Sequence, residues 1–217
     1  MLLNIFLLIS FIYFLFYNYS SHIFNFILYM YGFKIDKKNC KNLPSKLILI
    51  SSHTSMYDFF IGMAINYAIF HKNHTNYVLM KKVFADICNP FLPFIDKKFK
   101  LIEVNSNKKG ITQNLIENLK SKNNYIIYLS PEGTRKINKE LRKGYWALSN
   151  ELDIKVMYIG IDFSKKYIFF EKPRYVDIEW ENEKKNFIES CKKYLPLYPE
   201  RCYWTKDFFD NQKLSSS

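Results

Sequence analysis

The chain alternates short apolar runs with segments in which apolar residues recur at helical spacing. Strands are predicted at Lys46–Ser51, Tyr77–Met80, Lys100–Val104, Tyr125–Leu129, Ile154–Phe163 and Tyr167–Phe170. Helices are predicted at Asp58–Phe70, Gly144–Asn150 and Glu183–Tyr194, and along the apolar face of Ile111, Leu115, Ile116 and Leu119. Because strands that alternate with helices favour a layered fold, we predict an α/β domain with a central, mostly parallel or mixed β-sheet flanked by helices.

The first 33 residues form a separate apolar segment. No Lys, Arg, Asp or Glu precedes Lys34, and residues 2–16 are mostly Leu, Ile and Phe. Tyr17 and Tyr19 follow, as in an interfacial aromatic cluster, and residues 24–31 are again apolar. We therefore predict an N-terminal membrane helix in residues 1–33, with a membrane-embedded helical hairpin and a cleaved signal peptide as alternatives.

The lysines after this segment predict its orientation. Five lysines lie between residues 34 and 46, and the positive-inside rule then places everything after Lys34 on the cytosolic side. We expect a single-pass or monotopic membrane protein whose globular domain, residues 34–200, faces the cytosol. Residues 201–217 are predicted to be a C-terminal tail.

Length and charge narrow the possible partners. The 217 residues allow one domain plus an appendage, and the formal net charge of +12 favours a polyanionic partner such as an anionic membrane, a phosphate-bearing substrate or nucleic acid. The lysines are dispersed and no nucleic-acid-reading motif is present, so we predict no nucleic-acid partner. No metal site is predicted, because no Cys-x-x-Cys pair occurs among Cys40, Cys88, Cys191 and Cys202.

A histidine and an aspartate follow the first predicted core strand. His53 leaves the end of that strand, and Asp58 lies five residues on, near the start of the next helix. A carboxylate that holds one ring nitrogen of a histidine fixes its tautomer and leaves the other nitrogen as a general base for a hydroxyl. The alternative is a helix N-terminus, in which Asp58 interacts with the helix dipole and His53 is an ordinary loop residue. The spacing alone leaves both interpretations open.

A second polar segment, with the sequence Pro-Glu-Gly-Thr-Arg, follows another predicted core strand. Gly133 permits close approach of a ligand to the backbone, and Thr134 adds a hydroxyl. Arg135 offers a planar, permanently charged fork suited to phosphate, which Glu132 would orient unless it binds an acceptor hydroxyl itself. Lys143 adds a cation eight residues later. The alternative is a polar turn with a surface Glu–Arg pair. Both polar segments directly follow predicted core strands, and open α/β sheets bind ligands at the carboxyl ends of their strands.

Together the two segments resemble the glycerolipid acyltransferase family, best known as the 1-acylglycerol-3-phosphate acyltransferases. The family's Asn-His-x-x-x-x-Asp block corresponds to residues 52–58, and its Pro-Glu-Gly-Thr-Arg block is matched completely at residues 131–135. Its following basic-Gly-aromatic step corresponds to residues 143–145, and the resemblance covers about residues 47–175.

The resemblance implies acyl transfer to a lipid hydroxyl. His53 would deprotonate the acceptor hydroxyl, which attacks the thioester carbonyl of acyl-CoA or acyl carrier protein, while Asp58 would hold His53 and stabilise its imidazolium. The implied substrate-binding residues are Glu132, Gly133, Thr134, Arg135 and Lys143. The arginine of this set would bind the acceptor's phosphate. No cofactor, metal or acyl-enzyme is needed, and the acceptor would be a lysophospholipid or glycerol 3-phosphate.

One departure from the family pattern bears on the substrate. The family's second block usually ends in Asp-Arg, and Ser106 stands here where that phosphate-binding arginine is expected. Lys108 and Lys109, slightly downstream, are candidates to supply the charge. We therefore expect a lysophosphatidate-like acceptor and do not fix its identity. A phospholipid–lysophospholipid transacylase and a non-enzymatic, basic, membrane-anchored binding protein are the alternatives.

Overall fold

The computed structural model describes residues 19, 21–70, 73–81, 98–104, 110–134 and 140–205. These residues form a mixed α/β structure around one seven-stranded sheet. Its strands are β1 (Lys34–Ile35), β2 (Lys46–Ile50), β3 (Thr75–Lys81), β4 (Phe99–Val104), β5 (Tyr125–Leu129), β6 (Lys155–Asp162) and β7 (Tyr167–Phe170). Their order across the sheet is β1-β7-β6-β2-β5-β3-β4. The β6–β7 pair is antiparallel and the other pairs are parallel, so the sheet is mixed.

Helices cover both faces of this sheet. They are α1 (residues 21–30), α2 (Met56–Ile65), α3 (Ile111–Lys120), α4 (Gly144–Leu152) and α5 (Trp180–Cys191). A π-helical turn, Asn66–Phe70, continues α2, and two 3-10 turns, Pro199–Arg201 and Tyr203–Thr205, follow α5. Helices α1 and α2 pack on one face of the sheet, and helices α3, α4 and α5 pack on the other.

The central strand β2 shows why the sheet is covered on both faces. Leu47 and Leu49 contribute to the core beneath α1 and α2, whereas Ile48 and Ile50 contribute to the core beneath α3 to α5. All four side chains are buried. A strand buried on both faces reads as a continuous apolar run, because successive side chains point to opposite faces of the sheet.

A buried ion pair fixes the start of α5. The Glu183 side chain is 0% exposed, and its carboxylate accepts hydrogen bonds of 2.9 and 3.1 Å from the two terminal nitrogens of Arg174. The hydroxyls of Tyr145 and Tyr158 also donate to it. A buried carboxylate is tolerated when it is paired and hydrogen-bonded in this way. The cluster ties α5 to α4 and β6, and so sets where the chain after α5 begins.

The predicted α/β class and its helix-flanked central sheet are confirmed. Several details differ from the sequence-based prediction. β1 was not predicted, and the segment predicted as one helix from Asp58 to Phe70 begins at Met56 and becomes a π-helical turn after Ile65. The last helix spans Trp180–Cys191 where Glu183–Tyr194 was predicted, and some strand ends differ by one or two residues. No helix among the described residues is both long and apolar enough to cross a membrane, so the described part of the chain does not support the predicted N-terminal membrane helix. Residues 1–18 of that prediction lie outside the described residues.

Candidate active site

The two motif segments leave neighbouring strands at the same edge of the sheet. Strands β2 and β5 pair in parallel, with Ile50 opposite Leu129 at their ends. The backbone N–H of Ser51 also donates to the Leu129 carbonyl at 3.4 Å. The loop that carries His53 and the loop that carries Glu132 therefore start side by side, at the strand ends where open α/β sheets bind ligands.

The N-terminus of α2 determines the position of Asp58. Ser55 is the N-cap residue, and its hydroxyl accepts a hydrogen bond of 3.3 Å from the Asp58 backbone N–H. In return, Asp58 Oδ2 accepts hydrogen bonds of 2.7 Å from the backbone N–H groups of Ser55 and Thr54. This capping box satisfies N–H groups that the start of a helix leaves without partners. The aspartate side chain is therefore held by the fold itself.

The same carboxylate oxygen faces His53. The distance from His53 Nδ1 to Asp58 Oδ2 is 3.4 Å, longer than the roughly 2.8 Å of a tight charge-assisted hydrogen bond. Catalytic contacts are often this loose before substrate binds. With the ring proton on Nδ1, the second nitrogen, Nε2, keeps its lone pair. Asp58 thus caps α2 and faces His53 at once, so the two interpretations of the spacing are compatible.

Glu132 anchors the backbone of the histidine loop. Its side chain lies in the interior, with the residue 2% exposed, and Oε2 accepts a hydrogen bond of 2.8 Å from the His53 backbone N–H. The Ser52 hydroxyl donates to the same carboxylate at 2.9 and 3.0 Å. Oε1 accepts from the backbone N–H of Tyr203 at 3.2 Å. The motif glutamate therefore joins three separate segments of the chain.

Two opposing effects act on the ionisation of Glu132. Burial raises the pKa of its carboxyl above the usual range, because the charged form loses hydration. The hydrogen bonds from the backbone N–H groups of His53 and Tyr203 and from the Ser52 hydroxyl act in the opposite direction and lower this pKa. The net direction is upward. A buried carboxylate is unfavourable because its charge loses hydration. The hydrogen bonds that Glu132 accepts from the His53 loop offset part of that cost.

A segment after α5 closes over both motif loops. Besides the bond from Tyr203 to Glu132, the Arg201 Nη1 atom donates to the Thr54 carbonyl oxygen at 3.3 Å. Cys202 Sγ lies 3.4 Å from the Ser52 hydroxyl oxygen. Three successive residues thus contact three parts of the site. We call residues 199–203 the C-terminal turn.

The thiol in the C-terminal turn has a packing role. Burial, together with the nearby charge of Glu132, raises the pKa of Cys202 to about 12. A thiol with such a pKa stays protonated near neutral pH and is a poor nucleophile. The histidine loop also contacts the segment that follows α5, because the Ser52 backbone N–H donates to the Tyr194 hydroxyl at 3.4 Å.

The arrangement is a histidine backed by a carboxylate, beside a glycine-containing loop, at one sheet edge. A sequence model of the acyltransferase family matches residues 34–159, more than half of the chain, and this span includes both loops. The chain belongs to the acyltransferase family. No curated protein sequence matches the chain. No solved structure matches it either.

Most residues that the sequence predicted for this acyltransferase site line one cavity of about 1800 Å³. His53, Asp58, Gly133 and Thr134 all contribute to its wall. Glu132 lies behind that wall, and a direct substrate contact by Glu132 stays a prediction. Arg135 lies outside the described residues, as do Ser106, Lys108 and Lys109.

Lys143 occupies a different position from the other predicted residues of the acyltransferase site. Its ammonium lies 5.6 Å from the centre of the Trp180 ring, a cation–π distance, and the residue does not line the cavity described above. The adjacent Gly144 does line it. Substrate binding by Lys143 stays a prediction that the cation–π contact neither requires nor supports.

Two arginines in the cavity wall of the acyltransferase were not predicted from the sequence. Arg142 packs directly over Gly133, which has a φ of +63°, and a Cβ atom at that position would lie 2.5 Å from Arg142 Nε. The positive φ favours glycine here, and a Cβ atom would also require the Arg142 side chain to shift. Arg201 is the second arginine. Arg142 directly precedes Lys143, which was predicted from the family's basic-Gly-aromatic step. Arg201, in contrast, belongs to no sequence motif.

Metal binding has no structural support in the described part of the acyltransferase. No group of three or more His, Cys, Asp and Glu side chains within those residues has the arrangement to hold a metal ion. The cysteines described there, Cys40, Cys191 and Cys202, are at most partly exposed.

Proposed function

We propose that this acyltransferase moves a fatty acyl chain from acyl-CoA or acyl carrier protein to the hydroxyl of a lysophosphatidate-like glycerophosphate acceptor, in phospholipid synthesis. The observation that carries the proposal is the pairing of His53 Nδ1 with Asp58 Oδ2 at 3.4 Å in the wall of a large cavity. The His53 side chain is 31% exposed, so a substrate hydroxyl has access to the ring.

The proposed step needs a base, an acceptor hydroxyl and a thioester. His53 Nε2 takes the proton of the hydroxyl as its oxygen attacks the thioester carbonyl. Asp58 stabilises the imidazolium that forms, because an opposite charge nearby favours the protonated ring. The carbon–sulfur bond then breaks, and the departing thiolate takes the proton from His53. The products are an ester and a free thiol, and His53 returns to its starting state.

The cavity wall also supports an acyl-chain substrate. Beneath α2 the wall contains apolar side chains from the helix and from the sheet, namely Leu49, Met63, Ile65, Ile159 and Ile161. Burying an apolar chain against such a surface is favourable by about 0.8 kcal/mol per methylene. The polar motif loops and this apolar wall belong to the same cavity, which suits a substrate that has a polar head and an aliphatic tail.

We propose further that the protein is membrane-bound, single-pass or monotopic, with its catalytic domain facing the cytosol. One side of α1 packs on the protein: Phe24 stacks on Tyr67 at 4.8 Å, and Leu28 is buried. The opposite side exposes apolar residues at helical spacing, namely Ile23, Phe26, Ile27 and Met30. An exposed apolar helix face within an uncharged N-terminal segment suits a lipid interface.

An acceptor panel tests the proposed reaction. Membranes containing the full-length protein should transfer labelled acyl chains from acyl-CoA to lysophosphatidate, and His53→Ala should abolish the transfer. Acyl-CoA-independent transfer from a phospholipid would identify a transacylase instead. If folded, abundant protein fails with lysophosphatidate, other lysophospholipids and glycerol 3-phosphate, each tested with acyl-CoA and with acyl carrier protein, the proposed function is wrong.

Vesicle co-sedimentation tests the proposed membrane face. We expect the full-length protein to bind vesicles that contain anionic phospholipid, and Phe26→Glu/Met30→Glu to reduce the bound fraction several-fold by adding charge to the lipid-facing side. Ile178→Glu is the matched control, because Ile178 is also an exposed apolar residue but lies before α5. Equal binding by the double variant and this control would show that α1 does not contact lipid.

A further inference from the structure

The C-terminal turn brings Arg201 to the catalytic loop. Arg201 Nη1 donates to the carbonyl oxygen of Thr54, the residue that follows His53, and Arg201 lines the same cavity as His53. The turn begins 40 residues after the last residue that the family model matches. Arg201 is therefore a cation beside the predicted general base that no family motif supplies.

The surroundings of Arg201 fix its guanidinium without using all of its donors. The guanidinium carbon lies 4.1 Å from the centre of the Tyr198 ring, so the two planes support each other. Its contact with Glu200 is long, 3.8 Å from Nε to Oε1, and both side chains are about half exposed, so this pair is weak. A guanidinium has five N–H donors, and the described residues accept one hydrogen bond from it.

A prepositioned guanidinium with spare donors is well suited to phosphate. Its planar fork matches two oxygens of a phosphate group, and it remains charged at every physiological pH. The sequence gives a second reason to expect a phosphate ligand at Arg201. Ser106 occupies the position at which the family's second block has a phosphate-binding arginine. A cation at residue 201 would offset that loss from another part of the chain.

We propose that Arg201 binds a phosphate monoester of a substrate at the mouth of the active-site cavity, through N–H groups other than the one bonded to Thr54. This role rests on the acyl transfer proposed above for its substrates. Two substrates of that reaction carry such a group: the lysophosphatidate-like acceptor and the coenzyme A portion of the donor. The chemistry of the ligand is the same in both cases.

Binding measurements on the catalytically blocked His53→Ala protein test this proposal without turnover. Dissociation constants are measured in detergent for two pairs that each differ by one phosphate monoester: lysophosphatidate against monoacylglycerol, and acyl-CoA against the corresponding acyl-3′-dephospho-CoA. Adding Arg201→Ala should weaken one monoester-bearing ligand by about 10- to 100-fold, the range expected for losing a charge-assisted hydrogen bond, and leave its partner without the monoester within about twofold. Arg201→Lys keeps the charge without the fork and should restore part of the affinity.

A second cation serves as the control, and each outcome decides the proposal. Lys192→Ala removes an exposed lysine that pairs with Glu189 at 3.0 Å, and should change no dissociation constant. Selective loss for lysophosphatidate assigns Arg201 to the acceptor, and selective loss for acyl-CoA assigns it to the donor. Equal loss within a pair means that Arg201 only holds the Thr54 loop, and unchanged binding means that it does not touch phosphate; both outcomes overturn the proposal. Because no turnover is measured, these outcomes remain separate from failure of the acceptor panel.

Discussion

The backbone N–H of His53 donates a 2.8 Å hydrogen bond to Glu132 Oε2, so the glutamate of one motif holds the histidine of the other. The two residues are 79 positions apart and come together because β2 and β5 are neighbours in the sheet. A buried carboxylate is a costly way to fix a loop. Its two oxygens, however, accept from backbone N–H groups on two different segments, which a single neutral acceptor does not do.

Glu132→Gln tests whether both carboxylate oxygens are needed. One oxygen faces the N–H of His53 and the other faces the N–H of Tyr203, so an amide in either orientation points its NH₂ at a backbone donor. Leaving one buried donor unsatisfied costs about 1–3 kcal/mol. We expect kcat/KM to fall at least tenfold and the free energy of unfolding to fall by that amount. Wild-type activity in this variant would show that the hydrogen bonds of Glu132 do not position His53.

The raised pKa of Glu132 predicts how stability changes with pH. Because the folded-state pKa lies above the unfolded-state value, the folded protein binds the proton more tightly, and this group's contribution to stability falls as pH rises through that interval. Each unit of difference in pKa corresponds to about 1.4 kcal/mol. Relative to the non-titrating Glu132→Gln variant, the wild-type protein should lose part of its stability advantage as pH rises above 4.5, the ordinary pKa of a glutamate. Chemical denaturation of both proteins at several pH values measures this, and a constant difference would contradict the prediction.

Asp58→Asn separates the two roles of Asp58. The hydrogen bonds from Thr54 and Ser55 and the contact with His53 all use Oδ2, so an asparagine oxygen placed there keeps the helix cap and removes the negative charge beside the ring. We expect unfolding free energy to change by less than about 1 kcal/mol, since the asparagine oxygen still accepts from the backbone N–H groups of Thr54 and Ser55. Activity should fall by about 10²- to 10⁴-fold, the usual contribution of general-base catalysis.

The control for that prediction is Asp58→Ala, which also removes the oxygen that accepts from the backbone N–H groups of Thr54 and Ser55. It should lose further stability, roughly 0.5–1.5 kcal/mol for each hydrogen bond lost, while its activity falls no less than that of Asp58→Asn. The readouts are kcat and the urea midpoint. If the asparagine variant retains near-normal kcat, Asp58 serves only the helix, and the helix-cap interpretation of the spacing is sufficient.

The strands were accessible from the sequence because their signals are local. The apolar run of Tyr125–Leu129 coincides with β5, and the predicted strand at Lys46 differs from β2 by one residue at its end. The true start of α2 also had a signal, since Ser55 and Asp58 have the Ser-x-x-acid spacing of a capping box before an apolar run. Reading that spacing would have placed the helix start at Met56.

The C-terminal turn had no comparable signal. Its residues show neither helical nor strand periodicity, and nothing local indicates that residue 203 contacts residue 132, 71 positions away. The two-residue strand β1 is too short to produce a pattern. Contacts of this kind depend on the position of α5, because the C-terminal turn follows that helix. The buried hydrogen bonds of Glu183 fix the position of α5. The boundary that the sequence suggested after residue 200 therefore falls within a turn that contacts the site.

Tyr203→Pro, compared with Tyr203→Ala, isolates one hydrogen bond of the C-terminal turn. Cys202 has φ −76° and ψ 144°, an extended conformation that suits a residue before proline, and Tyr203 is the first residue of a 3-10 turn, where proline is tolerated. Both variants remove the tyrosine ring, which lies under the Lys184 ammonium at 5.6 Å. Only proline also removes the N–H that donates to Glu132.

We expect the proline variant to be less stable than the alanine variant by about 1.5–3 kcal/mol, the usual value of a hydrogen bond to a charged group. Its kcat/KM should be about tenfold lower, because the Glu132 carboxylate then loses one of the hydrogen bonds that fix it against the His53 loop. The loss should appear in kcat more than in KM, since the bond positions the base and does not touch substrate. Equal kcat values for the two variants would mean that Glu132 and the loop of His53 keep their positions without the C-terminal turn.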